Sequence, residues 1–316
     1  MIWLSAVELI GGFVLLAVAA NWLIAGASSM ALQLGISASV VGLTVIAYGT
    51  SLPEMTVSAL SAVSGNPQIA LGNVIGSNIA NIGLIIGLTA LFRPMPVDRS
   101  FLRRDFPVLA LVTGGFIIFL ADGTISRFEG MVLFLAGLAY TVFLILSTRG
   151  KKDEGVTEAV ADTAPGMSRS RQVVLIILGL AGLLGGGRLG VMGAVGIAEV
   201  FGLSERVIGL TIVAIGTSLP ELAASLAASF KGQSGMALGN ILGSNIFNVI
   251  FVLGVSAMIH AVTVPGGLPL QVDLGVMVSF TMAFGLFMLT RRRVSRIEGL
   301  LLVAAYAGYT AYLVAT

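Results

Sequence analysis

Residues 42–54 read GLTVIAYGTSLPE and residues 209–221 read GLTIVAIGTSLPE, so that ten of the thirteen positions are identical. A second pair, LGNVIGSNIAN at residues 71–81 and LGNILGSNIFN at residues 238–248, shares eight of eleven positions. The first pair runs from 42 to 209 and the second from 71 to 238, so both pairs have the same offset along the chain. Repeated matches at one offset indicate an internal duplication, so the chain is predicted to consist of two related halves.

The composition is that of a membrane protein. Of the 316 residues, 57% are hydrophobic and 10% are charged, whereas soluble domains carry about 25% charged residues. The chain has no Cys and one His, which excludes disulfide scaffolds, thiol catalysis, iron–sulfur clusters and structural zinc sites. The formal net charge of +2 gives no basic face for a nucleic acid. The expected surroundings are therefore a lipid bilayer.

Ten apolar runs, each compatible with a membrane-spanning helix, follow one another along the chain. A span needs about 20 largely apolar residues, and these runs are continuous, unlike the alternating strands of a membrane barrel. They cover residues 6–31, 38–64, 68–91, 106–121, 128–147, 173–198, 205–230, 235–258, 271–290 and 297–314. The predicted fold is an all-α polytopic membrane protein with ten transmembrane helices, five in each half.

The longest polar stretch separates the two halves. The predicted division is a first repeat at 1–147 with motifs at 42–81, a linker at 148–171, and a second repeat at 172–316 with motifs at 209–248. Because five is an odd number, the second repeat is expected to enter the membrane inverted relative to the first.

The positions of Lys and Arg predict the orientation, because cytoplasmic loops retain these residues. If the N-terminus lies outside, fourteen of the seventeen fall in cytoplasmic loops. Arg127 and Arg206 fall in external loops, and Arg188 falls within a helix. We therefore expect a multi-pass protein of the cell membrane, plasma or inner, with both termini outside and the 148–171 loop in the cytoplasm.

Each copy of GTSLPE places a proline and a glutamate inside an apolar run. Pro53 and Pro220 lack a backbone N–H, so each is expected to interrupt its helix and leave a carbonyl without a partner. Glu54 and Glu221 are the only carboxylates deep within predicted spans, where a charge costs about 2.5–3.5 kcal/mol. Inverted repeats with interrupted helices are typical of secondary transporters with a site near the membrane midplane. We therefore predict that both glutamates bind a transported ion.

The side chains around these glutamates offer oxygen atoms and neither sulfur nor imidazole. Residues four apart share a helix face, which places Thr50 beside Glu54 and Ser77 beside Asn81. The full set is Thr50, Ser51, Glu54, Ser77 and Asn81, with the counterparts Thr217, Ser218, Glu221, Ser244 and Asn248. Oxygen donors favour hard cations such as Ca²⁺ and Na⁺ over Zn²⁺ or copper, and two glutamates neutralise one Ca²⁺.

Structural roles are the alternative for some of these residues. A single intramembrane glutamate can be a buried, protonated structural residue, although two in duplicated motifs favour ligands. Gly72 and Gly76 are expected to pack helices closely. Arg188 is interpreted as a residue that snorkels or faces a cavity rather than as a gate, and His260 as interfacial.

The paired GTSLPE and GNxxGSNxxN segments resemble the α-1 and α-2 repeats of the Ca²⁺/cation antiporter superfamily, most closely those of prokaryotic and archaeal sodium/calcium exchangers. The resemblance extends over essentially the whole chain. It implies the inverted-repeat fold of these exchangers, in which predicted helices 2, 3, 7 and 8 surround four cation positions. Helices 1 and 6 would slide across this core to alternate access.

The resemblance also implies a role for each candidate residue. Glu54 and Glu221 would be the central carboxylates, and the carbonyls of Thr50 and Thr217 would complete a calcium position. The flanking sodium positions would use Ala47, Ser51 and Ser77 on one side and Ala214, Ser218 and Ser244 on the other, with Asn81 and Asn248 at the middle position. No cofactor is implied, because Ca²⁺ and Na⁺ are the transported ions.

The leading hypothesis is an antiporter that exchanges Na⁺ for Ca²⁺ by alternating access. Exchange should be electrogenic, because one Ca²⁺ neutralises the two glutamates while several Na⁺ exceed their charge. Asn248 stands where many prokaryotic and potassium-dependent relatives have aspartate, which predicts transport independent of K⁺. The alternative on the same fold is H⁺/Ca²⁺ exchange, because a carboxylate can carry a proton.

Other classes of protein are disfavoured. An enzyme would need a nucleophile with a base, a metal with His, or a pair of aspartates, and none is visible in these helices. A channel is disfavoured because inverted repeats with broken helices suit alternating access. Beyond the ions and the bilayer, no obligatory protein partner is evident, and the chain is compatible with a monomer.

Overall fold

A computed structural model describes residues 2–148, 167–202, 214–263 and 268–315, and most of them are helical. The helices are α1 (Ile2–Leu34), α2 (Ala38–Thr50), α3 (Leu52–Val63), α4 (Pro67–Phe92), α5 (Phe106–Phe119), α6 (Arg127–Thr148), α7 (Arg169–Val200), α8 (Ala214–Gly216), α9 (Leu219–Phe230), α10 (Ser234–Ile259), α11 (Leu268–Leu289) and α12 (Arg296–Ala315). Most of the predicted linker, 149–166, and the start of the second motif, 209–213, lie outside the described residues.

Most of the described helices are long enough to span a bilayer. Seven are long and apolar enough to do so, and α2 and α3 together form an eighth span that is bent by 46°. The two remaining predicted spans fall on α5, of 14 residues, and on α8 with α9, where α9 has 12 residues. The all-α architecture is confirmed, and the count of ten spans stays a prediction.

Helices α4 and α10 form the centre of the molecule. In their most apolar 18-residue stretches, 78% of α4 and 89% of α10 are buried, against 17% for α1 and 11% for α12. Large apolar side chains such as Trp3, Leu111 and Ile297 are exposed on the outer helices. An apolar surface of this extent is expected to face lipid. The two helices that carry the GNxxGSNxxN motifs therefore lie in the core.

Four short strands join the two halves. Strand β1 (Met95–Pro96) pairs antiparallel with β4 (Arg293–Val294), and β2 (Thr124–Ile125) pairs antiparallel with β3 (Val262–Thr263). Strands β1 and β3 follow α4 and α10, whereas β2 and β4 precede α6 and α12. Each sheet thus combines the strand after one motif helix with the strand before the last helix of the other half. This exchange is what a two-fold axis between inverted halves produces.

Helices α1 and α7 pack against each other along their length through glycines. A Cβ atom on Gly12 would lie 2.4 Å from the backbone nitrogen of Gly190, and one on Gly193 would lie 2.4 Å from that of Leu9. Such close backbone approach is typical of helix pairs in lipid. With 33 and 32 residues, both helices are about 50 Å long at 1.5 Å per residue. They exceed a hydrocarbon core of about 30 Å, so each is expected to tilt or to extend beyond it.

The motif glycines of the second half pack closely against α2. A Cβ atom on Gly239 would lie 2.4 Å from the Ser39 carbonyl oxygen, and one on Gly243 would lie 2.6 Å from that of Leu43. The equivalent neighbours of Gly72 and Gly76 fall in 203–213, outside the described residues. The packing role predicted for these two glycines therefore stays a prediction.

Candidate ion-binding site

Both prolines stand at helix breaks, as the sequence predicted. Helix α2 ends at Thr50 and α3 begins at Leu52, so Ser51 lies between them with a non-helical ψ of 12°. In the second half, α8 ends at Gly216 and α9 begins at Leu219. Proline is tolerated in the first turn of a helix, where its missing N–H has no helical partner to lose. At each proline the chain therefore begins a new helix and does not continue the preceding one.

The two glutamates lie in the first turns of the restarted helices. Glu54 belongs to α3 and Glu221 to α9, and each is 1% exposed. The N-terminal turn of a helix favours negative charge, because its free N–H groups point outward. Ser51 Oγ donates a hydrogen bond of 2.9 Å to Glu221 Oε1. Since Ser51 comes from the first half, the two breaks meet at the glutamates.

Asn73 on α4 holds the first break in place. Its Nδ2 donates to the backbone oxygen of Glu54 over 3.1 Å and to Ser58 Oγ over 2.9 Å. One side chain thus satisfies a carbonyl beside the break and ties the core helix to α3.

Asn240 on α10 makes the same pair of contacts in the second half. Its Nδ2 donates to the backbone oxygen of Glu221 over 3.3 Å and to Ser225 Oγ over 2.9 Å. Its Oδ1 accepts from the Thr50 hydroxyl over 3.3 Å. Neither asparagine was among the predicted site residues, although each occupies the third position of a duplicated LGN and the two are equivalent at the offset of the motifs.

Four further asparagines join α4 to α10. Asn81 Nδ2 donates to Asn245 Oδ1 over 2.9 Å, and Asn248 Nδ2 donates to Asn78 Oδ1 over 3.0 Å. Asn78 Nδ2 also donates to the backbone oxygen of Asn245 over 3.2 Å. The offset of the motifs relates Asn81 to Asn248 and Asn78 to Asn245, so the first two bonds are equivalent to each other. The network therefore lies on the two-fold axis. Asn78 and Asn245 were not among the predicted site residues.

Asn81 and Asn248 also mark a change in helix geometry. Each is the first residue of a π-helical stretch, Asn81–Ile86 in α4 and Asn248–Leu253 in α10. Such wider turns occur frequently at functional sites.

Several buried oxygen atoms at this centre have no hydrogen-bond partner among the described residues. They are Glu54 Oε2, Glu221 Oε2, Asn81 Oδ1, Asn248 Oδ1, Ser218 Oγ and Ser244 Oγ. An unsatisfied buried polar atom costs about 1–3 kcal/mol. All six belong to the residues predicted as ligands, and a hard cation is the partner that carboxylate, amide and hydroxyl oxygens share.

The remaining candidates lie around the same centre. Ala47 is buried, and its carbonyl oxygen accepts from the Ser51 N–H over 3.0 Å. Ser77 is buried, Thr217 is half-buried, and Ala214 begins α8. No group of three or more His, Cys, Asp or Glu occurs within the described ranges. The site therefore offers two carboxylates among neutral oxygen donors, a set suited to Na⁺ and Ca²⁺ rather than to Zn²⁺.

A cavity of about 490 Å³ borders the site between α3, α7 and the break before α9. Its described lining consists of Leu52, Pro53, Thr56, Val57, Leu184, Gly187, Arg188, Val191, Met192, Gly216, Thr217 and Pro220. A second cavity of about 300 Å³ lies between α1 and α9. The first includes the predicted ligand Thr217, whereas no predicted ligand is among the described lining of the second. Of these two cavities, the first therefore leads to the site.

Comparison with known proteins agrees with this geometry. The family model described as sodium/calcium exchanger protein matches residues 4–146 and 171–315. CaxA of Alkalimonas amylolytica, which carries the name of an antiporter, is 45% identical over 94% of this chain and 95% of its own. The sodium/calcium exchanger MaX1 of Methanosarcina acetivorans is 30% identical over 98% of both chains. A solved structure of the sodium–calcium exchanger NCX_Mj, soaked with zero Na⁺ and Ca²⁺, is similar with a TM-score of 0.85 and 33% identity, covering 99% of this chain and 100% of that one.

Proposed function

Since the chain belongs to the sodium/calcium exchanger protein family, we propose that it exchanges Na⁺ for Ca²⁺ across the cell membrane. Membership makes it a multi-pass cation/Ca²⁺ antiporter and not an enzyme. The observation that carries the finer proposal is the set of buried oxygens without partners around Glu54 and Glu221. These atoms would gain their missing partners from bound ions.

Charge at the site supports electrogenic exchange. Glu54 and Glu221 are the only carboxylates at the centre that the structure describes. One Ca²⁺ would neutralise them, whereas filling the sodium positions with several Na⁺ would leave an excess of positive charge. A cycle that moves different charges in its two directions carries net current.

Asn248 supports independence from K⁺. Its Nδ2 donates to Asn78, which leaves Oδ1 as a buried, neutral acceptor without a partner among the described residues. The centre therefore has two formal negative charges rather than three. With less negative charge to neutralise, we propose that no K⁺ accompanies Ca²⁺.

The proposed ligand roles follow the two halves. Glu54, Glu221 and the carbonyls of Thr50 and Thr217 would hold Ca²⁺. The flanking positions would use Ala47, Ser51 and Ser77 with Ala214, Ser218 and Ser244, and Asn81 and Asn248 would face the middle position. Most described side chains in this set are buried, and six of their oxygen atoms have no hydrogen-bond partner among the described residues, which supports these roles.

Alternating access would move α1 and α7 as one unit. Their backbones are in contact at glycines along their length, so neither can shift far without the other. In the proposed orientation, with both termini outside, α3 runs from the break towards the external side. The first cavity would then admit ions from outside.

The test is uptake of radiolabelled Ca²⁺ into proteoliposomes that contain the purified protein. Uptake should require Na⁺ inside, proceed without K⁺, and increase when the membrane potential draws positive charge in the direction of net Na⁺ movement. A pH gradient without Na⁺ is the second arm. Uptake driven by that gradient alone would replace the proposal with H⁺/Ca²⁺ exchange, and uptake only in K⁺ would overturn the role given to Asn248.

A further inference from the structure

The two cavities beside the helix breaks are counterparts under the two-fold relation of the halves. Helices α1 and α7 align at the same offset as the motifs, because the contact of Gly12 with Gly190 recurs as a contact of Gly179 with Leu23. The first cavity lies between α3 and α7 and the second between α1 and α9. At the offset of the motifs, five positions of the first wall have equivalents in the described wall of the second, and they are 52/219, 56/223, 184/17, 187/20 and 188/21.

Arg188 in the first cavity is equivalent to Asn21 in the second. Arg188 is exposed, and no hydrogen bond or ion pair involves it among the described residues. It is also the one charged side chain in the described lining of its cavity. Asn21 is neutral, and its backbone oxygen accepts from Lys231 Nζ over 3.1 Å. A fixed positive charge thus stands in the wall of the cavity that leads to the ion site.

Arg188 lines the same cavity as Gly216, Thr217 and Pro220 of the second break, and the residue before it packs against that break. A Cβ atom on Gly187 would lie 3.5 Å from the ring of Pro220 and 3.8 Å from the backbone oxygen of Gly216. The rest of the described lining is uncharged and mostly apolar, so it holds no opposite charge that would neutralise Arg188. Arg188 therefore acts on any cation that enters from this side.

We propose that Arg188 sets the preference of this cavity between divalent and monovalent cations by opposing Ca²⁺ more strongly than Na⁺. The energy of a cation in the field of a fixed charge is proportional to the charge of that cation. The factor by which Arg188 weakens Ca²⁺ binding is accordingly the square of its factor for one Na⁺. A field that costs Na⁺ about threefold costs Ca²⁺ about ninefold.

In the proposed orientation, this inference deepens the proposed function. The first cavity is external, so Arg188 lowers the affinity for external Ca²⁺ and promotes Ca²⁺ release outside. It does so without contacting the bound ion. Arg188 is thus a specificity-determining residue rather than a ligand.

The experiment compares wild type with Arg188→Gln, Arg188→Lys and Asn21→Gln in right-side-out membrane vesicles. The half-saturating concentrations of Ca²⁺ and of Na⁺ are measured for exchange at the external face. Arg188→Gln should lower the value for Ca²⁺ about ninefold and that for Na⁺ about threefold. Arg188→Lys, which keeps the charge, and Asn21→Gln, the matched neutral change, should leave both values near wild type. In about 1 M choline chloride the effect of Arg188→Gln should shrink, because the Debye length falls to about 3 Å.

Three results would overturn the proposal: unchanged half-saturation in Arg188→Gln, equal changes for Ca²⁺ and Na⁺, or a Lys variant that behaves like the Gln variant. The last would indicate shape rather than charge. Failure of the proposed function would be distinct, because wild type itself would then show no Na⁺-dependent uptake. In that case calorimetric titration of purified wild type and Arg188→Gln with Ca²⁺ alone still tests the electrostatic effect on Ca²⁺, with the Lys variant as control.

Discussion

The two halves are nearly identical at the ion site and differ away from it. At the breaks, Asn73 supports the Glu54 carbonyl over 3.1 Å and Asn240 supports the Glu221 carbonyl over 3.3 Å. Both supporting side chains also bond a serine hydroxyl over 2.9 Å. At the supporting asparagines, each half therefore repeats the other in residue type and in geometry.

A tyrosine and an acid outside the site show how far the halves diverge. In the second half, the Tyr309 hydroxyl donates to Asp273 over 2.8 Å. In the first half, Arg104 binds Asp105 through two hydrogen bonds of 2.6 and 3.1 Å, and the buried Tyr140 hydroxyl has no partner among the described residues. Tyr140 and Tyr309 are equivalent, because the offset between them is the one that relates the first residues of α6 and α12.

Duplication constrains the chain most strongly at the ion site. Around the two-fold axis, each half supplies half of the oxygen donors, so that a change on one side alone would unbalance the site. At the outer helices the two halves have different neighbours. Asp105 of the first half accepts from an arginine, whereas Asp273 of the second half accepts from a tyrosine. Arg188 and Asn21 fall between these extremes, on the walls of the access cavities.

The largest expected effect tests the equivalence of the two carboxylates. Glu54→Gln and Glu221→Gln should each reduce Na⁺-dependent Ca²⁺ uptake about 100-fold or more, because each removes half of the charge that neutralises Ca²⁺. Retained uptake in either variant would break the equivalence and remove that residue as a ligand.

Glu129→Gln is the matched control for these variants. Glu129 Oε2 accepts from the Ser126 N–H and hydroxyl, both over 2.8 Å, in a capping box at the start of α6. The Ser295 N–H and hydroxyl make the same contacts with Glu298 at the start of α12. Because this role is structural in both halves, uptake by Glu129→Gln should stay close to wild type.

A smaller effect is expected at the supporting asparagines. Asn73→Ala and Asn240→Ala should each lower the free energy of unfolding by about 1–3 kcal/mol, since each removes two hydrogen bonds and takes the donor from a buried serine hydroxyl. If the same loss raises the barrier to transport by about 1.4 kcal/mol, Ca²⁺ uptake should become about tenfold slower. Thermal unfolding in detergent and transport assays measure the two effects.

The exposed Asn66 provides the control for this pair. Its Nδ2 makes only a 3.4 Å contact with the Ser64 carbonyl among the described residues, so Asn66→Ala should leave uptake unchanged. A loss in Asn73→Ala without a comparable loss in Asn240→Ala would show that one break matters more than the other.

The smallest effect distinguishes the outer tyrosines. Tyr309→Phe removes a hydrogen bond to a carboxylate and should lower the free energy of unfolding by about 1 kcal/mol. Tyr140→Phe removes a buried hydroxyl without a partner in the described part of the chain, so stability should stay the same or rise. Thermal unfolding of both variants gives the difference, and the opposite ranking would mean that Tyr140 holds the more valuable bond.

Much of the centre could be predicted from the sequence because its signals are local or duplicated. Pro53 and Pro220 interrupt helices by their own chemistry, and the constant offset identified the halves. The family resemblance drawn from the GTSLPE and GNxxGSNxxN motifs is confirmed by the family model and the solved structures. The positions of Glu54 and Glu221 in the first turns after the breaks followed from the same residues.

Contacts between distant elements could not be predicted in this way. Asn73 and Asn240 lie in a motif rich in small residues, and a sequence does not tell whether such an asparagine faces the neighbouring break or the partner helix. The pairing of Asn78 with Asn245 requires knowing that α4 and α10 cross at the axis. Arg188 could be placed in a helix from sequence, but only packing shows which wall it occupies.

The exchanged strand pairing has a consequence for synthesis of the chain. Met95 in β1 pairs with Val294 in β4, so its partner emerges from the ribosome only after nearly all of the second half has been made. At about 5–20 residues per second, β1 waits about 10–40 s with its hydrogen-bonding edge unpaired. The first half therefore cannot reach its final form during its own synthesis, and a chain that stops after the first half lacks the strands that complete both sheets.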